Sequence, residues 1–470
     1  MNQFTFTGKL RTYTLAMVAI GLISLVIGLT GDSSGARIWS NVLHNSIFFL
    51  GISFMLLFLL CAKSLAYSGW QTTFKRMWEA AIMFIPVGVV LMLIVGLGAA
   101  LGWHHLYHWT DAEAFDPNSP KYDEIMAGKA AFLNLKWYIG GAILFGAYWT
   151  VTAFLYRRWS LAEDTEGGLG TYRKTKLLSA FFLPIGGVSA ILMIFVWQMS
   201  VDAHWYSTLY GWYCLASWFV AAIALSILLL MFLKTQGYFQ NVTDEHFHDL
   251  GKFMFGFSVF WAYLWFSQYM LIWYANVGEE TVYFQTRINK YPFLFGANLV
   301  LNFVLPFLVL MRNSTKRKWG TLIFVAVFVF LGHWMDYFLM IKPGVWETQT
   351  HLSHSHDDHS GDHGESTTHL NDHSKGDHSG EAHSDDDHGD TAHADASHGD
   401  GYGGHSKAKI PTGFQIPGFV DFGMMIGFLG LWLIVFFTAL SRAALTPVND
   451  PYLQESLHHH TGFYDGSGHH

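Results

Sequence analysis

Ten apolar runs, each long enough to cross a hydrocarbon core about 30 Å thick, dominate this chain of 470 residues. They fall at about 13–30, 40–62, 78–102, 131–156, 177–200, 207–233, 252–276, 292–311, 319–341 and 417–440. Inside lipid every backbone polar group must be satisfied within the segment, so runs of this length form helices. Nothing in the chain alternates with period two, as the strands of a barrel must. The expected fold class is therefore all-α integral membrane, with ten transmembrane helices. Charged residues make up only 13% of the chain, against about a quarter in soluble domains. That excludes an ordinary soluble enzyme, and nothing points to nucleic acid. The first run follows Lys9 and Arg11 and is longer than a signal-peptide core, so it reads as an uncleaved anchor.

The net charge of −8 is a sum of two unlike parts. Residues 351–405 hold 13 of the 26 His and 13 acidic residues with a single Lys, a net of −12, while the rest carries +4. The N-terminus, alternate loops and Arg442 collect 17 Lys and Arg on one side, against five in the short loops on the other. The positive-inside rule then puts both termini in the cytoplasm and the His-rich segment outside, in the periplasm of a bacterial inner membrane. The expected organisation is transmembrane helices one to nine over 1–345 and a disordered His/Asp-rich loop over 346–416. A tenth transmembrane helix follows over 417–441, then a cytoplasmic tail over 442–470.

The loop has almost no apolar residues and cannot offset its ordering entropy by burial. Its imidazoles would hold transition metals weakly and in many geometries, or act only as a solvated linker. Cys61 and Cys214 lie in apolar runs, with no C-x-x-C spacing, which leaves no ligand set for an iron–sulfur cluster or covalently attached haem.

An ionisable group within a span costs a few kcal/mol even on lenient scales, so each one marks a pathway or a site. Most such groups fall in the outer half. Asn41 and His44 lie in the second run; Gln198, Asp202, His204, Trp205 and Tyr206 occupy the tight turn after the fifth. Gln268 and Tyr269 lie in the seventh, ahead of surface carboxylates Glu279 and Glu280, and His333 and Asp336 are one turn apart in the ninth. The inner half offers Glu79, His246, His248 and Asp249. A quinol headgroup wants an aromatic slot, hydrogen-bond partners for its oxygens and a base for its protons, and this outer set contains those residue types. Non-covalent haem would need facing histidines at one depth, and only His44 and His333 are candidates. Electrons from a quinol would leave through another subunit.

Three stretches carry a family resemblance: Ser200 through Thr208 (SVDAHWYST), Trp261 through Tyr274 (WAYLWFSQYMLIWY), and His333 through Asp336 (HWMD). Together with ten spans, they resemble the polysulfide-reductase/NrfD-type membrane subunits, and more narrowly the quinone-binding-type subunits of bacterial alternative complex III, a quinol:cytochrome c oxidoreductase. The resemblance implies two four-helix bundles, from spans two to five and six to nine, with spans one and ten peripheral. It implies as partners an iron–sulfur subunit, cytochrome c subunits and a homologous quinone-binding subunit. The short N-terminus suggests the second of the two homologues, the one not beside the iron–sulfur chain. Asp202, His204, His333 and Asp336 are then expected to transfer protons. Trp205, Tyr206, Gln268, Tyr269 and His44 would line a quinone pocket, with no redox centre or metal ligand set in this chain. Two rival readings stand beside it: a metal-cation transporter with a His-rich loop, and a structural scaffold subunit.

Overall fold

The computed structural model describes residues 3–31, 35–119, 122–360 and 410–460. Among the described residues the only β feature is an isolated bridge between Gln3 and Ala444. The principal helices are α1 (Gly8–Gly31), α2 (Ala36–Leu65), α3 (Thr72–Ala100), α4 (Leu135–Glu166), α5 (Gly170–Trp197) and α6 (Thr208–Thr235). They continue with α7 (Asp244–Ala275), α8 (Gly278–Lys290), α9 (Pro292–Leu310), α10 (Trp319–Ser360) and α11 (Phe419–Leu440).

Nine of these, all but α7 and α8, are long and apolar enough to cross a membrane. The remaining expected span, 252–276, lies in α7, whose 32 residues suffice in length. Its polar first turns (Asp244, Glu245, His246, His248, Asp249) and its Trp and Tyr dilute its hydropathy. The protein is thus an all-α, multi-pass membrane protein, with the count of ten approximate. Glu279 and Glu280, expected at a loop surface, open α8 instead, where carboxylates suit the positive end of the helix dipole. The expected boundary at 345 also shifts. α10 runs on unbroken to Ser360, so the segment expected to be a disordered loop begins as helix. Residues 361–409, with most of the His/Asp tract, lie outside the described residues.

α2 packs on α3 and α5, and α4 closes the square between them; α6, α7, α9 and α10 form a second square. The two meet along α2, which touches both α6 and α10. Burial follows this arrangement: 89% of the apolar window of α2 and 83% of that of α6 is buried, against 22% for α1. α1 pairs with α11 on the outside, and α11 rests on α2 and α3. Without a hydrophobic drive between helices in lipid, close backbone approach has to supply the attraction. Gly21 and Gly427 provide it, because a Cβ on Gly21 would stand 2.5 Å from the Gly427 Cα.

α9 is the irregular member. Pro306 lacks the N–H that would bond the Asn302 carbonyl, and the turn Val300–Val304 widens to a π-helix. This happens where α9 faces α7 and α10. At one end of the molecule the terminal segments gather against the Lys/Arg-rich connections. Gln3 bonds the Ser441 carbonyl at 2.7 Å, the Gly69 amide donates to Glu455 Oε1 at 3.0 Å, and His459 pairs with Asp249 at 2.8 Å. The opposite end carries connections 101–134 and 198–207 together with α8 and residues 410–418.

Candidate functional site

His333 and Asp336 are three positions apart, so both point from one face of α10, toward α6, α7 and α9. Asp336 is 1% exposed. It accepts hydrogen bonds from Tyr213 and from Ser217 Oγ (3.3 Å) on α6, from Trp261 Nε1 (3.1 Å) on α7 and from Asn298 Nδ2 (2.8 Å) on α9. Asn302, in the π turn, donates in turn to Asn298 Oδ1 at 2.6 Å. A carboxylate accepts through both oxygens, and here four neutral donors supply what water would. Among the described residues no Lys or Arg pairs with it.

Ser217 Oγ also lies 2.9 Å from His333 Nδ1. With the serine hydrogen given to Asp336, the imidazole must donate from Nδ1, which assigns the tautomer and leaves a lone pair on Nε2. That Nε2 is buried without a partner among the described residues. His333, Ser217 and Asp336 therefore form one line of hydrogen bonds, joining the two groups that the sequence had placed a turn apart.

Next to Asp336 is a cavity of about 20 Å³, lined by Asp336, Tyr213, Trp265, Gln268, Tyr283 and Arg287 among others. Such a space holds about one water molecule. Arg287, on α8, is its charged wall. Its guanidinium donates to the carbonyls of Leu339 (3.1 Å), Tyr283 (3.0 Å) and Met340 (3.3 Å) and pairs with Asp202 Oδ2 at 2.9 Å. It also lies 3.3 Å from the centre of the Tyr283 ring, on which Trp205 stacks at 3.8 Å. Gly344 lets the Asp202 turn approach α10, since a Cβ there would stand 2.7 Å from Asp202 Oδ1. Burial pushes the Asp202 carboxyl up to about 6, against the pull of Arg287.

The expected site residues thus separate. Asp336 and Gln268 line the cavity, Asp202 reaches it through Arg287, and Trp205 through Tyr283. Tyr269 packs edge-on against Phe284 at 5.4 Å, one layer behind. Tyr206 is 58% exposed with Lys129 over its ring, and His204 faces Asp123 in the neighbouring connection at 2.5 Å. His44 lies on the α2 side of α10, bonding the Trp334 carbonyl at 2.9 Å and stacking on its indole. His44, on α2, therefore meets one face of α10 while His333 projects from another, and the two do not converge on a common ligand.

Some functional groups escaped the sequence reading. Asn298 and Asn302, four residues apart in an otherwise apolar run, were legible as a polar stripe. Arg287 carries no such signal, because its place depends on α8 folding back over the bundle. A second buried cluster was also missed. Lys342 lies 3.4 Å from Asp421, which also takes Arg37 (3.2 Å) and Asn41 (2.7 Å). Set against known proteins, the chain matches no family model, and no curated protein matches it.

Proposed function

We propose that this chain is an integral membrane subunit of a respiratory quinol:cytochrome c oxidoreductase of the alternative complex III type, conducting protons and carrying no redox centre of its own. The iron–sulfur, cytochrome c and homologous quinone-binding subunits would handle the electrons. By the positive-inside rule the Lys/Arg-rich end faces the cytoplasm and the Asp202 end faces outward, across a bacterial inner membrane. The observation that supports this reading above all is Asp336: an ionisable group in the middle of a helix bundle, held by neutral donors only. A carboxylate without a cationic partner can take up and release a proton without breaking an ion pair.

Asp336, the water-sized cavity and the Arg287–Asp202 pair make a series from bundle interior to bundle end. His333 and Ser217 extend it on the other side. A cavity of about 20 Å³ has room for about one water molecule, the size of one step in a proton path. Asp336→Asn keeps the shape and removes the proton. The complex carrying it is expected to assemble but to lose proton translocation coupled to quinol oxidation, measured in sealed vesicles. Unchanged proton-to-electron stoichiometry would overturn the proposal.

A further inference from the structure

Away from the Asp336 series, the geometry points to a binding site for one divalent transition-metal ion, Zn²⁺ or Cu²⁺, held by His108, Asp123 and His204. One ligand atom from each of the three lies within 4.8 Å of the others. His204 Nε2 and Asp123 Oδ2 are already 2.5 Å apart, and the His108 and His204 rings are 5.6 Å apart between centroids. Around a tetrahedral ion bound at about 2.0–2.1 Å, ligand atoms stand about 3.4 Å apart. Small side-chain rotations therefore close the set on an ion. Two imidazoles and one carboxylate suit Zn²⁺ or Cu²⁺, whereas Ca²⁺ and Mg²⁺ prefer all-oxygen shells.

The ligands come from separate parts of the chain, and other contacts hold them in place. Asp123 also accepts from the Met126 amide at 3.1 Å, which fixes its carboxylate. Lys129 donates to the carbonyls of Ala203 (2.8 Å) and His204 (3.1 Å), pinning the turn against the 101–134 connection. The His204 side chain is 46% exposed, so an ion can reach the site and a fourth position stays open to water.

α10 is tied to this connection by Gln349, which donates to the His105 carbonyl at 2.9 Å.

The test is a ZnCl₂ titration of the detergent-purified full chain against a chromophoric chelator, with CoCl₂ absorption spectra reporting the geometry. One equivalent is expected to bind at least tenfold more tightly than the rest and to give a tetrahedral Co²⁺ spectrum. His108→Ala, His204→Ala and Asp123→Asn should each abolish that equivalent, and His105→Ala should keep it. Asp123→Asn is used because it retains the acceptor for the Met126 amide, and circular dichroism confirms that each variant is folded. A tight equivalent that survives in all three folded variants, or no tight equivalent in the parent protein, overturns the assignment.

Discussion

The two four-helix bundles each bury an ionisable cluster, and the two clusters are held by different kinds of partner. In the first, a cluster at the Lys/Arg-rich end is built of ion pairs. Arg76 lies 2.7 Å from Glu79 and 2.6 Å from Asp164, and Ser160 donates to Glu79 at 2.5 Å. Lys75 pairs with Asp450 and lies 3.5 Å from Glu163. In the second, Asp336 sits among a tyrosine, a serine, a tryptophan and an asparagine, with no cation. Breaking a buried ion pair leaves a bare charge, so a change of protonation at Glu79 is opposed by Arg76. Neutral donors can reorient when the carboxylate takes a proton, so the second can change state. The lesson is that burial alone does not mark a working group; the kind of partner does.

The largest effect that would break this comparison is expected from Asp336→Leu. It strands donors from three helices, each at about 1–3 kcal/mol when left unmade. The variant should fail to accumulate in membranes while Asp336→Asn accumulates, as judged by quantitative immunoblot of the membrane fraction. Accumulation of both at parent level would mean that the donors are not committed to the carboxylate.

Next in size is Arg76→Met, which leaves Glu79 buried without its cation at a cost of about 3–5 kcal/mol. Thermal denaturation in detergent should show the loss, while proton translocation per assembled complex stays at the parent value. A stable variant with impaired translocation would erase the distinction between the two bundles.

The smallest effect sharpens the comparison at the Asp202–Arg287 pair, which combines burial with a cation. The Asp202 carboxyl is raised from 3.8 to about 6, burial outweighing Arg287. A carboxyl raised in the folded state adds stability below its unfolded value, and that contribution is lost as pH rises through the folded value. The stability of the parent relative to Asp202→Asn should therefore fall between about pH 4 and 6 and level off above. Denaturation midpoints of the two proteins across that range give the comparison. A difference that grows with pH would mean that Arg287, not burial, controls this carboxyl.

Much of this was legible in the sequence. Long apolar runs force helices because lipid offers no partner for the backbone. Both terminal segments do lie at the Lys/Arg-rich end. The one-turn spacing of His333 and Asp336 gave a shared face. The limit of α10 was not legible, since 346–360 is polar, yet the helix continues through it. Nor was the division of the outer residues: His44, His204 and Tyr206 share a depth range with Asp336 but not a neighbourhood.

The sequence by itself therefore determined the fold class and a set of polar residues within the apolar runs, because those depend on local hydropathy along the chain. Only the tertiary structure decided which polar residues meet. Ser217 between His333 and Asp336, Arg287 on Asp202, and His108 beside Asp123 and His204 are contacts across 116, 85 and up to 96 residues. They depend on how helices rotate and where connections fold back, and the pattern along any single helix does not encode either.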